Sequence, residues 1–341
     1  MARKPFTRRV ADNLQSWRRG FQVAFLLLNL WVGAQFYFFV RYCETNGATA
    51  FVPRPPGVEG WLPIAGLMNL KFAVLTHTLP EVHTAGFFLF VAFLGMSLVF
   101  KKAFCSWLCP VGTISEALWQ GGRELFGREF TPWPWLDIPL RSLKYLVFGF
   151  FGYAILNMSA DDIAGFLNSP YGALADVKML DFFRTLSTTA AVVLVLLAVG
   201  SLAVKNLWCR YLCPYGALLG LAALVSPTRI RRDPVTCIDC DKCTKACPSF
   251  IPVASLITVK TAECTACLEC VSSCPVQGAL DVTITGTTRR VPGWAVAAGV
   301  AAFFLLIVGG AKLAGRWDSQ LPIEVYKQLI PNAASLGHPS N

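Results

Sequence analysis

An α-helical integral membrane protein with about five transmembrane helices and a cysteine-rich α+β domain on its inner side is the fold class the sequence predicts. Three observations predict it. Of 341 residues, 55% are hydrophobic and only 15% charged, where a soluble domain carries about 25% charged residues. Five uncharged stretches reach or approach the ~20 residues that a helix needs to cross a hydrocarbon core of about 30 Å. Eight of the thirteen cysteines crowd into residues 237–274.

The five stretches are Phe21–Val40, Thr84–Phe100, Tyr145–Ala160, Thr185–Val204 and Val291–Ala311. Tyr145–Ala160 is the shortest of them. Gly60–Leu70 is also uncharged, but it is too short to span and is interrupted by Pro63, so it reads as a re-entrant or interfacial piece. Phe21–Val40 is longer than a signal-peptide core and has no small-residue cleavage site after it, so it is expected to remain as an anchor.

Orientation follows from Lys and Arg. With five spans, residues 1–20, 101–144 and 205–290 share one side and hold 22 basic residues, against eight on the other. The positive-inside rule places the first group in the cytoplasm and the C-terminus outside. The net charge of +10 is therefore topology, and no groove-reading motif points to nucleic acid. Twelve cysteines fall on the predicted inner side, where thiols stay reduced. Cys43 alone is expected outside, as a spare thiol.

The crowded cysteines repeat one spacing. Cys237, Cys240, Cys243 and Cys247 precede Pro248, and Cys264, Cys267, Cys270 and Cys274 precede Pro275. This is C-x2-C-x2-C-x3-C-P twice, the bacterial ferredoxin run that ligates [4Fe–4S] clusters. Zinc also takes C-x2-C pairs, but two complete runs of this form argue for iron–sulfur. In two-cluster ferredoxins the fourth cysteine of a run serves the other cluster. Carried over, cluster one takes Cys237, Cys240, Cys243 and Cys274, and cluster two takes Cys264, Cys267, Cys270 and Cys247.

A second duplication follows the second and fourth spans. Phe104-Cys105-Ser106-Trp107-Leu108-Cys109-Pro110-Val111-Gly112 matches Trp208-Cys209-Arg210-Tyr211-Leu212-Cys213-Pro214-Tyr215-Gly216. Two parallel helical-hairpin repeats are expected, with both C-x3-C-P motifs at the inner membrane surface. Residues i and i+4 of a helix share a face, so each motif is expected to aim two sulfurs at one point. Packed structural cysteines are the bland alternative. A third cluster, a copper or zinc site and a redox dithiol all remain open for these four thiols.

Taken together, paired C-x3-C-P motifs after membrane helices and two ferredoxin runs resemble the membrane polyferredoxins of the quinol dehydrogenase type, the NapH/YccM family to which NosR and CcoG are related. Residues Arg54–Ile64 and Pro80–Gly86 also look like family sequence. The resemblance covers roughly residues 20–280. It implies a multi-pass protein of the bacterial inner membrane with two [4Fe–4S] clusters. It also implies exchange with the quinone pool and with partner redox proteins, either an external reductase or cytochrome or a cytoplasmic ferredoxin-type subunit. The shorter NapH or YccM pattern fits best, because no large domain precedes the first span and only about thirty residues follow the fifth. The expected organisation is a basic N-terminus (1–20), a four-helix membrane domain (21–236), the ferredoxin domain (237–283), and a fifth helix with an external tail (284–341).

Quinol oxidation releases protons, so a base near the membrane boundary is required. His77 and His83 flank Glu81 at the outer mouth of the second span and are the candidates, since histidine titrates near neutral pH. His338 is expected to be solvated in the polar tail. A site there would lie across about 30 Å of hydrocarbon from the ferredoxin cysteines, so either the quinone binds deeper or another cofactor bridges the gap. Two functions follow from this pattern. One is membrane-anchored electron transfer between quinone, or a cytoplasmic donor, and a partner enzyme. The other is a metal-reducing maturation factor for a respiratory metalloenzyme.

Overall fold

The computed structural model describes residues 6–10, 12–127, 130, 132–287 and 289–337. Each of the five apolar stretches is helical over most of its length. α1 (Leu14–Glu44) contains the first, and after a 3₁₀ turn at Pro56–Trp61 come α2 (Pro63–Thr76) and α3 (Thr84–Phe100). The segment expected to be broken by Pro63 is instead started by it: proline occupies the first turn of α2, where no N–H is needed. The short α4 (Ala103–Trp107) and the longer α5 (Pro110–Phe126) follow, then α6 (Pro134–Asn157), α7 (Ala160–Asn168), α8 (Pro170–Ala173), α9 (Ala175–Arg184) and α10 (Thr188–Ala203). After a π-helical turn at Trp208–Leu212 come α11 (Pro214–Leu224), α12 (Lys242–Ala246), α13 (Glu269–Ser272), α14 (Gly293–Leu313) and α15 (Ile323–Leu329).

α1 and α14 are long and apolar enough to cross a membrane unaided. α6 with α7, bent by 107°, and α9 with α10, bent by 83°, pass the same length and composition test as pairs. The first bend has a local cause. Ser159 accepts from Asp162 N while Asp162 accepts from Ser159 N, a reciprocal cap that starts a new helix two residues after α6 stops. α3, with 17 residues, rises about 25 Å.

The chain divides into two compact units. The first comprises Met1–Leu26, Phe93–Phe148 and Val195–Phe304; the second comprises Leu27–Ala92, Gly149–Leu194 and Leu305–Asn341. In the first unit a four-stranded antiparallel sheet has the order β2 (Thr258–Val259), β1 (Thr228–Arg232), β3 (Leu280–Ile284), β4 (Arg290–Val291). Ile230 pairs with both Val259 and Val282, so the sheet joins residues on both sides of the cysteine runs. The N-terminal arm adds to this domain. Arg9 N donates to Pro275 O, and Gln277 N donates to Thr7 O. α5 packs close to the end of α10 because Gly122 has no side chain; a Cβ there would lie 1.9 Å from Leu202 O.

The second unit is built around Phe36, Phe39, Val40, Val58, Leu174, Val177, Tyr326 and Ile330. Cys43 belongs to that core and is fully buried, so the residue expected as a spare thiol is a packing residue.

Candidate iron–sulfur and thiol sites

The eight ferredoxin cysteines fall into two groups in the first unit. Cys237, Cys240, Cys243 and Cys274 line one small cavity. Cys247, Cys264, Cys267 and Cys270 line another. The local fold explains the exchange of partners. α12 and α13 each begin one residue before the third cysteine of a run and end before the fourth. Pro248 and Pro275 then turn the chain away. Left-handed residues at Asp239, Asp241, Ala266 and Leu268 curl the C-x2-C loops so that successive thiols face one side.

Each set of four cysteines surrounds a cavity, as ligands at the corners of a cluster do. Burial pushes the Cys247 thiol up to about 11 and raises Cys270 well above its usual value, so the buried thiolates need a cation to displace their protons. The charge balance agrees. Buried Lys101, Lys102, Lys144, Arg18 and Arg210 stand close to these thiols, with Glu263, Asp137, Glu116 and Glu269 among their partners. Lys101 Nζ is buried without a hydrogen-bond partner, and Cys264 is its favourable electrostatic neighbour. A tetrathiolate cluster is anionic and would offset the charge of Lys101.

The two C-x3-C-P motifs do not form the continuous helices expected. Cys105 lies in α4 and Cys209 in the π-turn, whereas Cys109 and Cys213 are the extended N-cap residues of α5 and α11. The cause is the following proline, which cannot accept a helical predecessor but is well placed at the first helical position. Each motif therefore holds one thiol on a helical turn and one at a helix N-terminus, where the backbone dipole favours a thiolate. Gly216 N donates to Cys213 Sγ at 3.3 Å. Gly112 is required for the same tight turn, since a Cβ there would lie 2.2 Å from Cys105 O. All four thiols lie within electrostatic range of one another.

Both motifs dock on the second ferredoxin group. Ser106 Oγ donates to Thr265 O at 2.6 Å, and Trp107 Nε1 donates to Ala266 O at 3.0 Å, inside the Cys264–Cys267 loop. Arg210 donates to Ser249 O at 2.6 Å, two residues after Cys247, while Asp137 binds its guanidinium at 2.8 and 2.9 Å. Glu263, beside Cys264, receives Lys144 Nζ at 2.8 Å through both oxygens. Burial alone would raise the Glu263 carboxyl, but Lys102 and Lys144 hold it at about 2. Arg18 clamps the start of α1 to Glu116 at 2.6 Å and to Glu269 at 2.8 Å. In the sequence, Arg9 and Arg18 count only among the basic residues before the first span. Their positions before the first span gave no sign of partners far along the chain.

The predicted proton site is rearranged. His77 and Glu81 are exposed, and His338 lies outside the described residues. His83 is buried at 1% exposure. Its Nε2 donates to Gly172 O at 2.8 Å, which leaves Nδ1 facing Glu59 Oε1 at 3.6 Å. Arg54 pairs with Glu59 at 2.8 Å and with Asp176 at 2.6 Å. Burial opposes charge on both Glu59 and His83. Arg54 nevertheless holds the Glu59 carboxyl at about 2, and Glu59 raises the His83 imidazole above its ordinary value. The outcome is a charge-balanced quartet of Arg54, Glu59, His83 and Asp176. Sequence reading named only His83 of the four. Arg54 and Glu59 stood within the segment quoted as family-like, while Asp176 carried no local signal.

Comparison with known proteins accords with these sites. A 4Fe-4S binding domain family matches residues 82–130 and 186–232, covering one C-x3-C-P motif each time. A 4Fe-4S dicluster domain family matches residues 229–277. The chain is 49% identical over 331 residues to YccM of Escherichia coli, which is named as an electron transport protein, covering 96% of this chain and 93% of that one. It is 25% identical over 225 residues to the ferredoxin-type protein NapH of Haemophilus influenzae, covering 62% and 71% of the two chains. It is also 25% identical over 222 residues to the regulatory protein NosR of Pseudomonas aeruginosa, covering 62% of this chain and 30% of that one. No solved structure matches. Cysteine runs around two cavities, apolar helices and these relatives together place the chain in the NapH/YccM-type family of membrane 4Fe–4S electron transport proteins.

Proposed function

We propose that this protein carries electrons between the membrane quinone pool, or a donor on the side of its ferredoxin domain, and a partner redox enzyme. Cys237, Cys240, Cys243 and Cys274 would hold one [4Fe–4S] cluster, and Cys247, Cys264, Cys267 and Cys270 a second. Cys105, Cys109, Cys209 and Cys213 would hold a third metal centre at the membrane surface. Bound clusters supply one-electron chemistry at potentials set by charge, hydrogen bonding and exposure.

The observation that carries this reading is the docking of both C-x3-C-P motifs onto the loops of the second cysteine group, through Ser106, Trp107 and Arg210. It keeps three thiol sets adjacent in one unit. The protein's own residues do the rest. Proline-started helices present thiols at dipole ends, and buried lysines offset anionic charge. Trp107 and Phe104 are themselves buried and shield the motif from water. A structural scaffold would not need the buried, unpartnered Lys101 ammonium beside buried thiols.

The test is anaerobic purification with metal analysis, followed by reduction with a quinol. About eight iron atoms per chain or more are expected, with spectra of two [4Fe–4S] clusters. Stoichiometric zinc without iron would overturn the reading.

A further inference from the structure

A cleft of about 710 Å³ in the first unit has no part in the sites above. Its volume falls within the roughly 300–1,000 Å³ of small-molecule sites. One wall is the start of two membrane helices, with Leu14, Trp17 and Phe21 from α1 and Trp294, Ala297 and Ala298 from α14. The other is the ferredoxin sheet and its arm, including Val271, Asp281 and Arg290. Trp17 and Trp294 are 67% and 70% exposed, the placement of aromatic residues at a membrane–water boundary.

Three features define the occupant. The cleft joins an apolar helix wall to a polar sheet edge, so it suits an amphipathic molecule with a flat polar head and an apolar tail. Its charged lining is balanced, Arg9 and Arg290 against Asp12 and Asp281, which favours a neutral head over a phosphate. Its back wall includes Val271, which directly follows Cys270 and whose carbonyl is fixed by Arg9 Nη1 at 2.8 Å.

We infer that this cleft binds the ring of an isoprenoid quinone, beside the second ferredoxin group. Asp281 and Arg290 supply the recognition. Asp281 Oδ1 is taken by Arg9 at 2.6 Å, whereas Oδ2 is buried without a hydrogen-bond partner, 3.4 Å from Arg290 Nε. That oxygen can accept from a quinol hydroxyl, and the Arg290 guanidinium, 59% exposed, can donate to a ring carbonyl. The site rests on the quinone reading proposed above and deepens it, because it brings the quinone to the ferredoxin side and removes the need to cross about 30 Å of hydrocarbon.

The experiment uses the full cluster-loaded protein in phosphatidylcholine nanodiscs with a photoreactive azido-quinone, mapped by mass spectrometry. Label is expected on residues 277–282 or on the first turns of α14, displaced by unlabelled quinone. Ala298 is exposed, so Ala298→Trp can fill the cleft from its helix wall without disturbing the core. It is expected to lower labelling about tenfold or more with iron content unchanged. Label elsewhere, or label displaced by phosphatidylglycerol but not by quinone, overturns the site; the second result would make it a lipid headgroup cleft. Label in the cleft without quinol reduction of the clusters keeps the site and removes the electron-transfer reading. Quinol reduction as fast in Ala298→Trp as in the parent removes the site and keeps that reading.

Discussion

Replacing Glu59 with Gln isolates the charge of one carboxylate in the buried quartet while preserving shape and the bond from Gly86 N. Glu59 is fully enclosed, and its carboxyl sits at about 2 rather than its usual 4.5. That difference corresponds to roughly 3 kcal/mol of stabilisation at neutral pH. The second unit contains a reporter in Cys43, which is fully buried and packs in the same core as Val58 and Val177, the neighbours in sequence of Glu59 and Asp176. Maleimide labelling of Cys43, read on its own peptide by mass spectrometry, therefore measures opening of that core. Glu59→Gln is expected to speed labelling about a hundredfold, since each ~1.4 kcal/mol is a factor of ten.

The pH dependence has two limbs. Glu59 has a lowered folded pKa, so its contribution is complete above 4.5 and lost as pH falls toward 2. His83 has a raised folded pKa, so its contribution is complete below 6.5 and lost as pH rises through the raised value. Labelling normalised to a free Cys43 peptide should be slowest between these limits, and Glu59→Gln should flatten both limbs. A variant that labels within about threefold of the parent, a change below ~1 kcal/mol, would refute the idea that these charges hold the unit together.

Three further outcomes are expected. Cys247→Ser should damage the cluster of Cys264, Cys267 and Cys270 and spare the other, because Cys247 lines that cavity; spectroscopy showing loss confined to the other cluster would mean that each run ligates its own. Serine at Cys105, Cys109, Cys209 and Cys213 together should remove about four iron atoms with both ferredoxin signals intact, and unchanged metal content and electron transfer would return these thiols to packing. A reporter fused after Thr261 should read as cytoplasmic and one after Gly337 as periplasmic, from the asymmetry of 22 basic residues against eight; matching readings would remove one of the five proposed spans.

Spacing and composition alone determined the membrane class, the two ferredoxin runs and the repeated C-x3-C-P motif. Each is a local property: uncharged length reports a helix that can sit in hydrocarbon, and cysteine spacing reports a loop that can present several thiols to one centre. Local periodicity was also the source of error. The i, i+4 argument for Cys105 and Cys109 assumed a continuous helix, whereas Pro110 made Cys109 an N-cap, so the chain breaks between the two sulfurs. The ferredoxin pattern already implied which cysteines share a site, and the folding of α12 and α13 brings Cys247 and Cys274 to those groups. Tertiary structure alone brought Arg54 to Asp176, 122 residues away in sequence, and left Glu81 at the surface while burying His83. A buried charge must find its counter-charge wherever the fold supplies one, and that partner leaves no periodic mark on the sequence.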